Sequence, residues 1–265
     1  MDTPTRKPLD RHELWSLLSE KSDFWTELDV VQVTGSTNTD LANAAKHGAP
    51  EGQILIAEEQ VSGHGRLDRR WVCPPRAGLT MSFLLRPTLP REQWGTLNLL
   101  TAVALEETLK AVCSVSAKLK WPNDLLLDDR KVGGILSQVE GGAVIVGVGL
   151  NVSLTEEELP IPEATSLALS GASTLDREEI AAGFLAHLAA VYTTWNERGP
   201  APVIERWRRN SATLGRHVAV SFPNGRKVTG RAVAVDDNGC LRVALEDGAV
   251  ETIAAGDIVH LRPDD

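Results

Sequence analysis

The stretch Lys120-Trp121-Pro122-Asn123-Asp124, followed shortly by Lys131-Val132-Gly133-Gly134-Ile135-Leu136, decides how this chain is read. Proline at 122 disfavours helix at Trp121 and forces extended backbone into a turn. The apolar run Leu125 to Leu127 then reads as a strand, which leaves Asn123 and Asp124 at a strand end. A carboxylate there suits orienting an attacking amine or holding a metal. A plain Pro-Asn-Asp turn is the simpler alternative. Asp128-Asp129-Arg130 forms a charged turn, and Lys131 opens the next strand. Its two glycines permit close backbone approach to a ligand, and a lysine beside them would neutralise a phosphate or carboxylate. Taken alone, the segment is equally a charged hairpin.

Upstream, a short strand at 54–57 runs into Gly63-His64-Gly65-Arg66-Leu67-Asp68-Arg69-Arg70-Trp71. Glycines turn N–H groups toward an anion, arginines add charge-assisted donors, and an indole covers a flat ring. The same residues would also make an ordinary solvated basic loop. Neither GxxxxGK[ST] nor GxGxxG occurs, so any nucleotide is held by another device. Ser36-Thr37-Asn38-Thr39-Asp40 opens a helix that Gly48 and Pro50 end, with Thr37 and Asp40 spaced as a capping box. Free N–H groups and hydroxyls at a helix start also suit a polar ligand. Gly147-Val148-Gly149-Leu150-Asn151 reads as a glycine-softened strand ending in a polar residue.

The remaining elements follow from periodicity. Helices are expected over 11–28, 94–112, 176–195 and 202–210, and strands over 30–33, 79–85, 118–121, 134–140 and 143–150. After Gly215, β runs at 218–221, 228–235, 241–245 and 250–253 alternate with Pro223-Asn224-Gly225, Asp237-Asn238-Gly239 and Asp247-Gly248. Short strands with hairpin turns predict a small all-β barrel. The expected division is 1–212 and 213–265.

Bulk properties narrow the function classes. The 265 residues carry a formal charge of −9, so nucleic acid is not the expected partner. Cys73, Cys113 and Cys240 are scattered and show no CxxC spacing, which argues against zinc or a disulfide framework and fits a reducing cytoplasm. The first ten residues lack the apolar core of a signal peptide, and no apolar run reaches membrane-spanning length.

Order and spacing carry more than any one segment. S-T-N at 36–38, E-x-Q-x-x-G-x-G-R-x-x-R-x-W at 58–71, K-W-P-N-D at 120–124, K-x-G-G-I-L at 131–136 and G-x-G-x-N at 147–151 resemble the biotin–protein ligase catalytic domain across residues 30–155. The tail resembles that family's SH3-like C-terminal domain. The resemblance implies an α+β fold: a mixed-sheet catalytic domain followed by a small SH3-like β-barrel. It implies ATP and biotin as substrates, Mg²⁺, and a biotin carboxyl carrier domain as acceptor. Ser36, Thr37, Asn38 and Gln60 would line the biotin pocket, with Gly134 beside them. His64, Gly65 and Arg66 would close over biotin and the adenylate, and Lys131 would meet the biotin carboxylate and the α-phosphate. Arg66, Arg69, Trp71, Asn123, Lys131 and Asn151 would form the ATP site. Asp124 would assist the acceptor lysine, which makes Lys131, Arg66 and Asp124 the catalytic set. His64 and Asp68 stand where the family loop often has Arg and Gly. No particular metal ligand is implied. A lipoate or octanoyl transferase and a catalytically silent biotin-binding protein remain alternatives. A DNA-binding repressor is not expected, because the leader is short and lacks a basic recognition helix.

Overall fold

The computed structural model describes residues 6–66 and 69–261. Its larger sheet has seven strands in the order β1-β2-β3-β7-β6-β5-β4. These are β1 (Glu27–Thr34), β2 (Gln53–Gln60), β3 (Gly78–Leu85), β4 (Lys118–Lys120), β5 (Asp124–Leu127), β6 (Arg130–Glu140) and β7 (Ala143–Asn151). β1 and β2 run parallel, and every other neighbouring pair is antiparallel. The parallel pair needs a crossover, which α2 (Thr37–Lys46) supplies.

One face carries α1 (Arg11–Ser19), α3 (Thr96–Cys113), α4 (Arg177–Arg198) and α5 (Ala201–Arg209), which enclose the main apolar core. The other face carries α2, seated on a small cluster of Leu41, Ala42, Ala45, Leu84, Ala143 and Ile145. Most of that face is therefore left for polar side chains. The second sheet is antiparallel, in the order β11-β10-β9-β8-β12. It comprises β8 (His217–Ser221), β9 (Lys227–Val235), β10 (Leu241–Ala244), β11 (Val250–Ile253) and β12 (Asp257–His260). Among the described residues no helix is long and apolar enough to cross a membrane, and the three cysteines are free.

Several expected boundaries are corrected. The helix expected over 11–28 stops at Ser19. Trp25 instead turns into the core and donates its indole N–H to Leu185 O at 2.9 Å, and the chain is extended from Glu27. The long central helix begins at Thr96, after a 3-10 turn at Arg91–Gln93. The helix expected over 176–195 runs on to Arg198, and the one expected over 202–210 spans Ala201–Arg209, the two parted where Gly199 takes φ 76° and Pro200 follows it. The strand expected from 134 begins at Arg130. β12 was not among the expected strands; it is short and half polar, and only its pairing with β8 defines it.

Candidate active site

Strand register brings two rows together on the α2 face. Ser82, Gly147 and Leu136 are cross-strand neighbours on β3, β7 and β6. In the next row stand Thr80, Gly149, Gly134 and Asp124 on β3, β7, β6 and β5. The glycines are clearances. A methyl on Gly147 would overlap the Asn38 amide, and one on Gly149 would overlap the Trp71 ring. The G-x-G of β7 thus seats one side chain per glycine.

The floor of this trough is a closed polar network. Thr37 donates through its backbone N–H and its hydroxyl to Gln60 Oε1, at 2.8 and 3.0 Å. Its hydroxyl also meets Ser82 Oγ at 2.6 Å. Ser82 donates to Asn38 Oδ1 at 2.6 Å, and Asn38 Nδ2 donates to Leu136 O at 3.1 Å. Ser36, Thr37, Asn38 and Ser82 are all buried. Two hydroxyl protons serve three oxygen contacts, so the network has an acceptor in surplus and suits a ligand that brings N–H groups. The expected Thr37–Asp40 capping box does not form. Ser36 occupies the N-cap, Thr37 is committed to Gln60, and Asp40 accepts from Thr34 Oγ1 instead.

Beside the floor lies the charged pair. β5 and β6 slip register between Leu125 and Leu126, so Leu125 pairs with Gly133 and Leu126 with Lys131, leaving Val132 as the extra residue. Such bulges re-aim side chains. Lys131 Nζ lies 2.6 Å from Asp124 Oδ1 and close over Gly134, whose lack of a side chain leaves it room. The contact is ionic rather than an aligned hydrogen bond: Asp124 Oδ1 is buried and has no hydrogen-bond donor among the described residues. The backbone of Lys131 is clamped by the 163–165 segment, through Lys131 N–H to Glu163 O at 2.6 Å and Thr165 N–H to Lys131 O at 2.8 Å.

Over the trough runs the Gly63–Trp71 loop, of which Leu67 and Asp68 lie outside the described residues. Gly65 N–H donates to Arg69 O and Trp71 N–H to Gly63 O, so the loop folds on itself as a narrow hairpin. The Trp71 indole N–H is buried without an acceptor among the described residues. Arg66 Nη2 donates to Gly256 O at 3.3 Å, and Arg69 pairs with Asp257. Gly256 immediately precedes β12 and Asp257 is its first residue, so the second sheet touches the loop directly. Burial pulls the Arg66 pKa down, while Asp124 and Asp257 oppose that shift. The guanidinium therefore lies within electrostatic reach of Asp124. His64 and Arg70 are exposed, their backbones bridged to each other.

Two expected site residues are already engaged with the fold. Asn123 Nδ2 donates to Ile135 O at 2.8 Å and its carbonyl accepts from Ile135 N–H, which pins the turn to β6. Asn151 is buried and donates to Thr165 O at 2.9 Å.

Comparison with known proteins agrees with this architecture. Residues 30–154 match the Biotin/lipoate A/B protein ligase family, and residues 213–261 match the Biotin protein ligase C terminal domain. A Mycobacterium tuberculosis protein named biotin–[acetyl-CoA-carboxylase] ligase is 40% identical over 264 residues, covering 97% of each chain. The chain belongs to the biotin protein ligase family. The bifunctional ligase/repressor BirA of Bacillus subtilis is 30% identical over 87% of this chain and 72% of its own. A solved biotin protein ligase from Aquifex aeolicus, in complex with biotin and ATP, superposes with a TM-score of 0.76 at 26% identity, over 89% of this chain and 100% of that one.

Against that family frame, sequence reading missed three features of this ligase fold. Ser82 sits in the apolar run of β3, where its lone hydroxyl among Met81, Phe83 and Leu84 is the only signal. Asp257 lies far along the chain from the Arg69 it meets. The third is the buried Glu58–Arg177 pair at 2.6 Å, which also binds the backbone of the N-terminal segment: Leu9 N–H donates to Glu58 Oε1 at 2.5 Å and Arg177 Nη2 donates to Lys7 O at 2.7 Å.

Proposed function

We propose that this chain is a biotin–protein ligase that activates biotin with Mg·ATP and transfers it to a lysine of a biotin carboxyl carrier domain. The observation that carries the reading is the closed Gln60–Thr37–Ser82–Asn38 network one sheet row from the Lys131–Asp124 pair. A ureido ring brings N–H groups to the acceptor-rich floor, and the valeryl carboxylate then reaches toward Lys131.

In the first step a carboxylate oxygen attacks the α-phosphorus of ATP, and the bond to pyrophosphate breaks. The products are biotinyl-5′-AMP and pyrophosphate. Two anions must approach, and Lys131 and Arg66 offset their repulsion. Mg²⁺ arrives on the triphosphate as part of the substrate. It commonly keeps its waters and takes only one or two protein carboxylates, and Asp124 is the acid in place to serve. Trp71 and Arg69 face the nucleotide side, with Asn123 and Asn151 holding that wall. In the second step the neutral acceptor amine attacks the acyl carbon, the bond to the phosphate oxygen breaks and AMP leaves. Asp124 orients the amine and receives its proton. Closure of the loop carrying His64, Gly65 and Arg66 shields the anhydride from water.

The direct test incubates the protein with biotin, Mg·ATP and a carrier domain, then weighs the carrier. A mass gain of one biotinyl group that needs ATP is expected. No gain with biotin, but gain with lipoate or octanoate, would move the assignment to the sister acyl chemistry.

A further inference from the structure

The turn that bears Asp124 is suspended from the second sheet. Trp121 is fully buried, and the C-terminal segment grips it at both ends. Its indole N–H donates to Gly239 O at 3.0 Å, and its backbone N–H donates to Thr213 Oγ1 at 3.0 Å. The segment before β8 meets β4 in a single parallel bridge at Leu119 and Ser211: Leu119 N–H donates to Asn210 O and Ala212 N–H to Leu119 O, both at 2.8 Å. The Thr213 hydroxyl thus takes the place of the next backbone rung.

That hydroxyl is itself buried and lies 3.2 Å from His260 Nε2 on β12. A threonine oxygen has a single proton. With one lone pair taken by Trp121 N–H, and no other acceptor nearby among the described residues, the proton goes to His260 Nε2; a buried hydroxyl left undonated would be costly. Nε2 is then an acceptor and the imidazole is neutral. The charged groups that act on the ring agree: burial, Lys120 of β4 and Arg216 before β8 depress its pKa to about 4, against a smaller opposing effect of Asp129 in the β5–β6 turn. The chain of donors therefore runs one way, from Trp121 through Thr213 to His260.

We propose that His260, acting through Thr213, is a positioning residue that sets the Lys120–Asp124 turn and with it the aim of the Asp124 carboxylate. The proposal rests on the ligase reading, in which Asp124 serves the acceptor amine. Between the Trp121 anchor and the Asn123–Ile135 anchor, Asp124 has little freedom except toward Lys131. The second sheet is, on this account, part of the transfer machinery rather than an appendage.

Three variants test it: Thr213→Val removes the hydroxyl at constant shape, His260→Phe keeps a ring without an acceptor, and His260→Gln restores an acceptor oxygen. Thr213→Val and His260→Phe should each lower kcat for carrier biotinylation roughly tenfold, with KM for biotin and ATP little changed; the unpaired Trp121 N–H should lower the thermal midpoint of Thr213→Val by roughly a few degrees, and His260→Phe by less. Groups acting in series are not additive, so Thr213→Val with His260→Phe should be no slower than the worse single variant, and His260→Gln should recover most of the rate. Amide hydrogen exchange in the peptide spanning 118–124 should rise in both damaging variants, whatever the activity. Additive losses, or unchanged exchange at 118–124, would overturn the positioning role. A wild-type protein that modifies no carrier while the exchange pattern holds would sink the ligase reading and leave the suspension of the turn standing.

Discussion

The floor and the rim of the trough are built on opposite terms. The floor residues Thr37, Asn38 and Ser82 are buried and hydrogen-bonded across α2, β3 and β6 before any ligand arrives. The rim is the Gly63–Trp71 loop, where Arg69 has an exposed side chain tied to Asp257 by one ion pair. Preorganised donors and acceptors cost nothing at the moment of binding, whereas segments that must open and close are drawn from the least stable parts of a fold. In the proposed ligase reaction, recognition therefore falls to the buried floor and retention of the intermediate to the exposed loop. Lys131 and Asp124 stand between, set by a bulge rather than by a loop.

The strongest blow to the floor strikes its foundation. Glu58 stands two residues before Gln60 on β2, and removing one partner of a buried ion pair strands the other charge. Arg177→Ala should destabilise the fold by about 3–5 kcal/mol, seen as a lower denaturant midpoint. Lys131→Ala should leave stability unchanged and slow pyrophosphate release by roughly 10²–10³; near-normal release would remove Lys131 from the mechanism. Arg66→Gly should speed dissociation of biotinyl-5′-AMP by roughly tenfold or more, as for loss of a charge-assisted hydrogen bond, measured by trapping free adenylate. Ser82→Ala should raise KM for biotin by roughly fivefold, about 1 kcal/mol, and leave KM for ATP alone; equal change in both would mean the floor does not discriminate. Smallest is Asp257→Asn. An exposed pair is worth less than about 1 kcal/mol, so loop retention should weaken slightly at low salt and match wild type at high salt.

Residues whose neighbours are close in sequence were largely legible. Ser36-Thr37-Asn38 stands at the start of α2 as its spacing predicts, and the turns at Asn224-Gly225, Asn238-Gly239 and Asp247-Gly248 carry their glycines at positive φ. Features that depend on register were not. Nothing in K-x-G-G-I-L says that Val132 is the surplus residue that swings Lys131 toward Asp124. G-x-G read as a softened strand, although each glycine is the space occupied by Asn38 or Trp71. Long-range partners, such as Thr213 for Trp121 and Asp257 for Arg69, leave no periodic trace because they lie far apart in the chain and mostly outside regular elements. The helix expected over 11–28 failed for a related reason: burial of Trp25 against α4 overrides local helical spacing.

The cross-strand rows also make the site a matter of counting. Its side chains are written at every second residue on four strands, and a one-residue slip turns a strand's whole set to the other face. Deleting Val148, the single residue between Gly147 and Gly149, would bring one clearance around to the helical core and present Val146 or Leu150 to the ligand. Substitutions there meet a local obstacle, but length changes meet a frame. Insertions and deletions should therefore be tolerated in turns such as Asp247-Gly248, and be almost absent from β3, β6 and β7 among functional variants of this chain.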